Sequence, residues 1–526
     1  ATFELVIVTI VIAFAFGIPL GVAAAYWKDR WPDNAVRIFS LFSAVTPAFF
    51  LGLLLQILAG YVLHVLPTTG RLPPSMAFNA DITGLLTIDS LIRGRLDVFV
   101  EALRHLLLPA IALSSTTLGQ IALTTRAAMI DVSTQDYIEA SRAFGVPERV
   151  QVFKYMLRPS FVPPLTIMGL AFASLIGSAF VVELVFSYSA ERSERSHGRG
   201  HGVRRLLRPD QPDDRRPDRL RRSARPYPGR PMTTTNPTAD EPRRLSNADQ
   251  NWYRFSRNPT AVIGACIVAI CILAAGLAPY ITPYPEHAGA VLDFRSRHLP
   301  PSLTHWFGTD DVGRDIFTRV IYGMRVSLLL AVVVLGIAVP VGTGLGLVAG
   351  YFGGWTETII MRITDVALAL PALVFALAVA AVLSPSLINA MLAIAALWWT
   401  WHTRLIYAIT RQLRGMEFIE AAETLGASKF HILIREILPN CVSQLAVKTS
   451  LDCGFVILVG ASLSYLGLGI QPPTPDLGTM VASGASYLPG YWWESVMPGL
   501  AILVVALGFN LLGDGLRDLF HVEEVR

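Results

Sequence analysis

At 526 residues, the chain is 53% hydrophobic and only 16% charged, with a mean hydropathy of +0.50. A water-soluble protein of this length carries about 25% charged residues, so the composition excludes a soluble globular enzyme and points to a membrane protein. The net charge of +4 lies in loops and in one unusual segment, and forms no basic patch suited to nucleic acid.

Repeated apolar stretches of about 20 residues read as membrane-crossing helices. The chain opens at full hydrophobicity with Ala1-Thr2-Phe3-Glu4-Leu5-Val6, without an initiator methionine or a basic leader. It therefore reads as a piece whose true start is missing, not as a signal peptide. Four spans are expected in the first half, near 3–26, 41–65, 105–125 and 161–187. Six follow in the second, near 261–281, 326–349, 358–383, 388–408, 445–469 and 495–513. The four cysteines, Cys266, Cys271, Cys441 and Cys453, sit on or beside these spans without metal-ligand spacing and read as inert thiols.

One polar loop occurs twice. Residues 136–145 run Asp136-Tyr137-Ile138-Glu139-Ala140-Ser141, three variable residues, then Gly145. Residues 417–426 run Glu417-Phe418-Ile419-Glu420-Ala421-Ala422, three variable residues, then Gly426. Each copy continues into a basic amphipathic run that ends at Pro159 or Pro439. The Ile-Glu-Ala core favours helix, the glycine suits a helix end that needs positive φ, and the proline marks the turn into the next span. Each loop is thus expected to be a short helix-turn-helix. A single copy would pass for an ordinary amphipathic loop, but two in equivalent positions argue for a shared task.

Loop charge sets the orientation. The first copy is flanked by Arg126, Arg142, Arg149, Lys154 and Arg158, and the second by Arg404, Arg411, Arg414, Lys429 and Arg435. Residues 471–493 hold no Lys or Arg. Both repeats are therefore expected in the cytoplasm, and the proline-rich loop at 471–475 outside.

Residues 191–231 are unlike their surroundings, with thirteen arginines, no lysine and almost nothing apolar. A disordered basic linker is one reading. Topology favours another, because a crossing is needed between the two repeats, and arginines at mid-bilayer cost about 2.5–3.5 kcal/mol each. In that reading the segment is an out-of-frame translation of a former final helix, and Met232 is the natural start of a second protein.

Four charges fall within spans: Glu183, Asp365, and the one-turn pair Lys448 and Asp452. They read either as pathway or gating groups or as structural pairs and interfacial groups, with Lys448 able to satisfy Asp452 locally. The Gly342-Thr343-Gly344-Leu345-Gly346 run reads as close helix packing rather than a phosphate cradle. Trp398, Trp399, Trp401, Trp492 and Trp493 suit interfacial belts. No Gly-Lys dipeptide occurs, so the chain has no P-loop and any ATP hydrolysis must come from a partner.

The repeated loop resembles the EAA signature of membrane subunits of binding-protein-dependent ABC importers. Further stretches resemble the dipeptide, oligopeptide and nickel permeases. They include His305-Trp306-Phe307-Gly308-Thr309-Asp310, Tyr322-Gly323-Met324-Arg325, Ser464-Tyr465-Leu466-Gly467 and Asn510-Leu511-Leu512-Gly513-Asp514. Residues from about 245 resemble the C-type subunit of that pair. Residues 1–188 resemble the B-type subunit through Ile18-Pro19-Leu20-Gly21, His105-Leu106-Leu107-Leu108-Pro109 and Val182-Glu183-Leu184-Val185.

The resemblance implies an all-α integral membrane protein with the type I importer fold, two permease halves and about ten membrane helices. The expected domains are a truncated first half at 1–190, a polar segment at 191–245 and a complete second half at 246–526. It also implies that Glu139, Ala140 and Gly145, with Glu420, Ala421, Ala422 and Gly426, dock on two cytoplasmic ATPase subunits. Those partners would bind ATP and Mg, since the chain carries no catalytic residue, cofactor or metal of its own. A solute-binding protein would deliver substrate from outside a bacterial cytoplasmic membrane. Peptides are the expected solute; nickel, another small solute, or a non-functional relic are the alternatives.

Overall fold

An apolar run in a bilayer folds as helix because each backbone N–H must find its acceptor within the chain. The computed structural model describes residues 1–188, 253 and 255–520, apart from 74, 77, 79, 383 and 385. Among these residues the fold is helical, and the one β-type pairing is an isolated bridge between Thr309 and Asp315. The expected all-α class is what forms. The described residues of 1–188 and 255–520 make one compact unit. The expected polar segment at 191–245, with its frameshift reading, lies outside the described residues.

The first half holds α1 (Thr2–Tyr26), α2 (Trp31–Val45), α3 (Ala48–Leu55), α4 (Leu86–Ile92) and α5 (Leu96–Ser133). These lead to α6 (Asp136–Ala143), α7 (Glu148–Val150) and α8 (Val162–Val185). The second half holds α9 (Pro259–Gly276), α10 (Ile316–Phe352), α11 (Gly354–Leu368), α12 (Ala372–Val382) and α13 (Leu387–Arg414). It continues through α14 (Glu417–Thr424), α15 (Lys429–His431), α16 (Leu438–Tyr465), α17 (Leu477–Ala485) and α18 (Trp493–Phe520).

Among the described residues, six unbroken helices are long and apolar enough to cross a membrane, or up to nine if each of three bent pairs is one span. The expected span at 41–65 is such a pair: α2 and α3 meet at 109°. Thr46 precedes Pro47 and takes an extended conformation (φ −88°, ψ 118°), as steric clash with the proline ring demands. The expected span at 358–383 bends by 82° between α11 and α12, beside Pro371. That at 161–187 bends by 56°. The expected span at 388–408 lies in α13, where Trp398, Trp399, Trp401, His402 and Arg404 interrupt the apolar run.

Each half is built around one close helix pair. With no hydrophobic drive between helices in lipid, association rests on packing, which small residues permit. On α10, a Cβ added to Gly346 would lie 2.8 Å from Ile406 Cβ, and one on Gly350 would lie 2.6 Å from Thr410 Cβ on α13. On α1, a Cβ added to Gly17 would lie 2.9 Å from Ile121 Cγ2, and one on Gly21 would lie 2.6 Å from Thr125 Cβ on α5. The pairs α1–α5 and α10–α13 are therefore equivalent, with Thr125 matching Thr410. Gly342, within the glycine run noted above, makes the same kind of approach to Trp399 and His402.

The halves meet through the arms beyond the bends. Phe49 on α3 stacks on Tyr465 of α16 with ring centroids 4.7 Å apart. Reciprocally, Pro371 and Val374 lie at 3.3 and 3.4 Å from the position a Cβ on Gly177 of α8 would take.

Candidate functional site

The two repeated loops form two elbows of the same construction. In the first, α6 ends at Phe144, and Gly145 takes φ +70°. The Val146 N–H donates to Ser141 O (3.1 Å) and the Gly145 N–H to Arg142 O (3.0 Å). In the second, α14 ends at Leu425, and Gly426 takes φ +81°. Ala427 N–H donates to Ala422 O (3.0 Å) and Gly426 N–H to Glu423 O (3.0 Å). This pair of bonds is the Schellman arrangement, in which a left-handed residue closes the helix and satisfies its last carbonyls. Nothing lies within 4 Å of a Cβ built on either glycine, so backbone conformation, not space, calls for glycine.

Each elbow is anchored by its isoleucine. Ile138 and Ile419 are fully buried, and burying such a side chain contributes about 1.5–3 kcal/mol. Ile419 joins Ile432, Leu433 and Ile437, from the turn beyond the glycine, against Ile406 and Ile409 of α13. The opposite face is presented outward. Glu139, Ala140, Gly145, Glu420, Ala421 and Gly426 are exposed, and Ala422 is half-buried. The residue before each glycine is apolar and stands free, Phe144 at 86% exposure and Leu425 at 88%. Each elbow thus presents a protruding apolar tip flanked by charged side chains.

Tyrosines at the ends of the first helix of each close pair hold the elbows. Tyr351 Oη donates to Glu423 Oε1 at 2.8 Å, and Tyr26 Oη donates to Glu148 Oε1 at 3.0 Å. Two ion pairs stand beside them. Arg126 of α5 donates from Nε to Asp33 Oδ1 (2.5 Å) and from a terminal nitrogen to Asp33 Oδ2 (2.7 Å). Arg411 of α13 pairs with Glu357, which also accepts from the Tyr407 hydroxyl. Sequence reasoning named Arg126 and Arg411 only as loop charges that set orientation, and did not single out Asp33 or Glu357. A signal was present: Asp33 and Glu357 each stand two residues after a tryptophan, Trp31 or Trp355, just past the first helix of the close pair.

The four charges expected within spans occupy three settings. Lys448 Nζ lies 2.5 Å from Asp452 Oδ1 one turn away, and His402 Nε2 lies 3.4 Å from Asp452 Oδ2. Asp365 pairs with Arg404 at 2.6 Å, both partly exposed. Glu183 is buried near Tyr188, where Arg71 packs over the Tyr188 ring and bonds Glu4 at 2.9 Å. Burial, then the Glu4 carboxylate, pushes the Tyr188 phenol up.

Two bundles of membrane helices, each with a capped elbow projecting from its close helix pair, define a multi-pass transport subunit. The sequence profile of binding-protein-dependent transport system inner membrane components matches residues 17–198 and again 342–522. The chain belongs to that family. A profile for the N-terminal membrane domain of oligopeptide transport permease C matches residues 246–301. The chain is 44% identical over 276 residues to the probable D,D-dipeptide transport system permease protein DdpC of Escherichia coli K12, covering 52% of this chain and 91% of that protein. It is 39% identical over 293 residues to the dipeptide transport system permease protein DppC of Alkalihalophilus pseudofirmus, covering 55% and 95%. It is 43% identical over 267 residues to the glutathione transport system permease protein GsiD of Escherichia coli O6:K15:H31, covering 51% and 88%. Members of this family are membrane permeases and not enzymes, and they depend on ATPase and solute-binding partners.

Proposed function

We propose that the chain forms the membrane path of an ATP-driven importer of short peptides in the bacterial cytoplasmic membrane. The carrying observation is the matched pair of capped, apolar-tipped elbows. A transport motor outside the bilayer needs a stiff lever, and a Schellman-closed helix pair anchored by a buried isoleucine is stiffer than a linker. In this reading Glu139, Ala140 and Gly145 contact one cytoplasmic ATPase subunit. Glu420, Ala421, Ala422 and Gly426 contact a second. The ATPases bind ATP and Mg, and their closure draws the elbows together, opening the path towards an extracytoplasmic solute-binding protein. The same reading divides the chain into permease halves at 1–190 and 246–526, separated by 191–245.

The relatives' names speak of D,D-dipeptide, dipeptide and glutathione systems, which supports a short peptide as solute. Proteoliposomes holding the chain, its ATPases and its binding protein test this directly. ATP-dependent uptake of radiolabelled dialanine, absent without ATP, is expected. Uptake of nickel without dialanine uptake would overturn the peptide assignment. An ATPase that associates equally well with a chain carrying Glu420→Lys would overturn the docking assignment.

A further inference from the structure

Arg126 and Arg411 occupy equivalent places. Each follows the threonine, Thr125 or Thr410, that meets a glycine of the partner helix in the close pair. Each binds an acidic residue in the first turn of the helix that starts a bent span, Asp33 of α2 or Glu357 of α11. The partners lie 93 and 54 residues apart in sequence, so neither pair is a local helix contact. The second arm of each bent span then reaches the opposite half. α3 sets Phe49 on Tyr465 of the second half, while Pro371 at the bend and Val374 of α12 lie beside Gly177 of the first.

We propose that Asp33–Arg126 and Glu357–Arg411 are paired transmission latches, through which the helix leading to one elbow moves the bent span that engages the other half. This rests on the elbows being the ATPase-driven levers. The first-half latch is the stronger built: its fork is bidentate, Asp33 is fully buried, and the Asp29 N–H also donates to Asp33 Oδ2 at 2.9 Å. The second-half latch is more open to solvent, with Arg411 62% exposed, and the Tyr407 hydroxyl completes it. A guanidinium fork fixes direction as well as distance, which suits a joint that must carry a displacement. The arginines act through the elbows and bent spans and touch neither solute nor nucleotide; they are positioning residues.

The test uses the full chain with its ATPases in proteoliposomes, comparing Arg126→Asp, Arg411→Gln and the charge-swapped Asp33→Arg/Arg126→Asp. Three readouts are taken together: ATPase retained on the purified chain, ATP hydrolysed, and radiolabelled dialanine taken up. With the latches as transmission parts, both single variants keep ATPase retention and hydrolysis within about twofold while the uptake per ATP falls about tenfold. The charge swap restores part of that ratio, because it puts opposite charges back across α2 and α5, although a guanidinium in place of the carboxylate cannot accept from the Asp29 N–H. Arg411→Gln sits on an exposed side chain, so its loss of uptake cannot be put down to a collapsed fold. Unchanged uptake per ATP in Arg411→Gln, or loss of ATPase retention in step with uptake in both singles, would overturn the latches. A wild-type chain that retains no ATPase would instead overturn the docking reading on which they rest.

Discussion

Phe50 of the first half fills the space above Gly499 of the second: a Cβ added to Gly499 would stand 2.0 Å from the Phe50 ring. Phe50 is fully buried, so its ring has no open volume to turn into. Together with the Phe49–Tyr465 stack, this contact ties the arm beyond the first bend to α16 and α18. The glycine is thus required by the partner half, not by its own helix.

Gly499→Ala is accordingly expected to destabilise the joined halves by about 1–3 kcal/mol, the usual cost of overpacking. Adding Phe50→Leu should recover part of that loss, since the two sites share one cavity and their effects should not add. Thermal unfolding of the detergent-purified chain reads both. Equal melting of wild type and Gly499→Ala would mean that the halves do not meet at this contact.

At the elbow tip the constraint is different in kind. Gly426 has φ +81° with nothing near its absent Cβ. Gly426→Ala then costs about 1–2 kcal/mol for placing an L-residue in the left-handed region. Gly426→Asn costs less, because asparagine visits that region readily. Both variants are expected to fold, but ATPase retention and uptake should fall in the order Gly, Asn, Ala. An alanine variant that outperforms asparagine would show that the turn's conformation is not what the partner reads.

Much of this was legible because it is repeated. The acidic-aromatic-Ile-Glu-Ala-small pattern, with glycine after three further residues, carries its own helix, its own stop and its own buried anchor, all within a short window. The bends were harder to read. Apolarity runs unbroken through Thr46-Pro47 and Leu370-Pro371, so a hydropathy count sees one span where the backbone makes two helices. The residue before each proline was the available signal. For the latches, the tryptophan two residues before Asp33 and Glu357 marked equivalent positions, but nothing local tells Asp33 that its partner is 93 residues away. Only the fold brings α2 against α5.

Lys448 and Asp452 can be assigned by a paired substitution. The Asp452 carboxylate is almost wholly buried, while Lys448 is partly exposed. Lys448→Met leaves that carboxylate with His402 alone beside it, a break of the kind that costs about 3–5 kcal/mol. Lys448→Met/Asp452→Asn removes the charge as well and should recover most of the stability. If the pair is structural, uptake follows melting temperature across the three proteins. Uptake lost in a double variant of wild-type stability would assign the pair to the solute path instead.

The segment at 191–231 invites a test that needs no transport assay. Thirteen arginines and no lysine lie between two elbows that loop charge puts on one side of the bilayer. The second family match runs to residue 522, about a hundred residues past Glu420, whereas the first stops at 198, about sixty past Glu139. The difference is of the size of a final helix such as α18, which has 28 residues, with its connecting loop. The out-of-frame reading therefore expects two natural products: a first half whose last span is apolar, and a second beginning at Met232. Tryptic digestion of an authentic 191–231 would release diagnostic peptides such as 206–215, kept whole because trypsin spares the Arg208-Pro209 bond. Mass spectrometry of native membranes should find none of them, but should find a peptide starting at Met232 or at Thr233 after removal of the methionine. Arginine-bounded peptides spanning 191–231 in natural material, at the abundance of those from α5 and α13, would establish a single continuous chain and rule the two-product reading out.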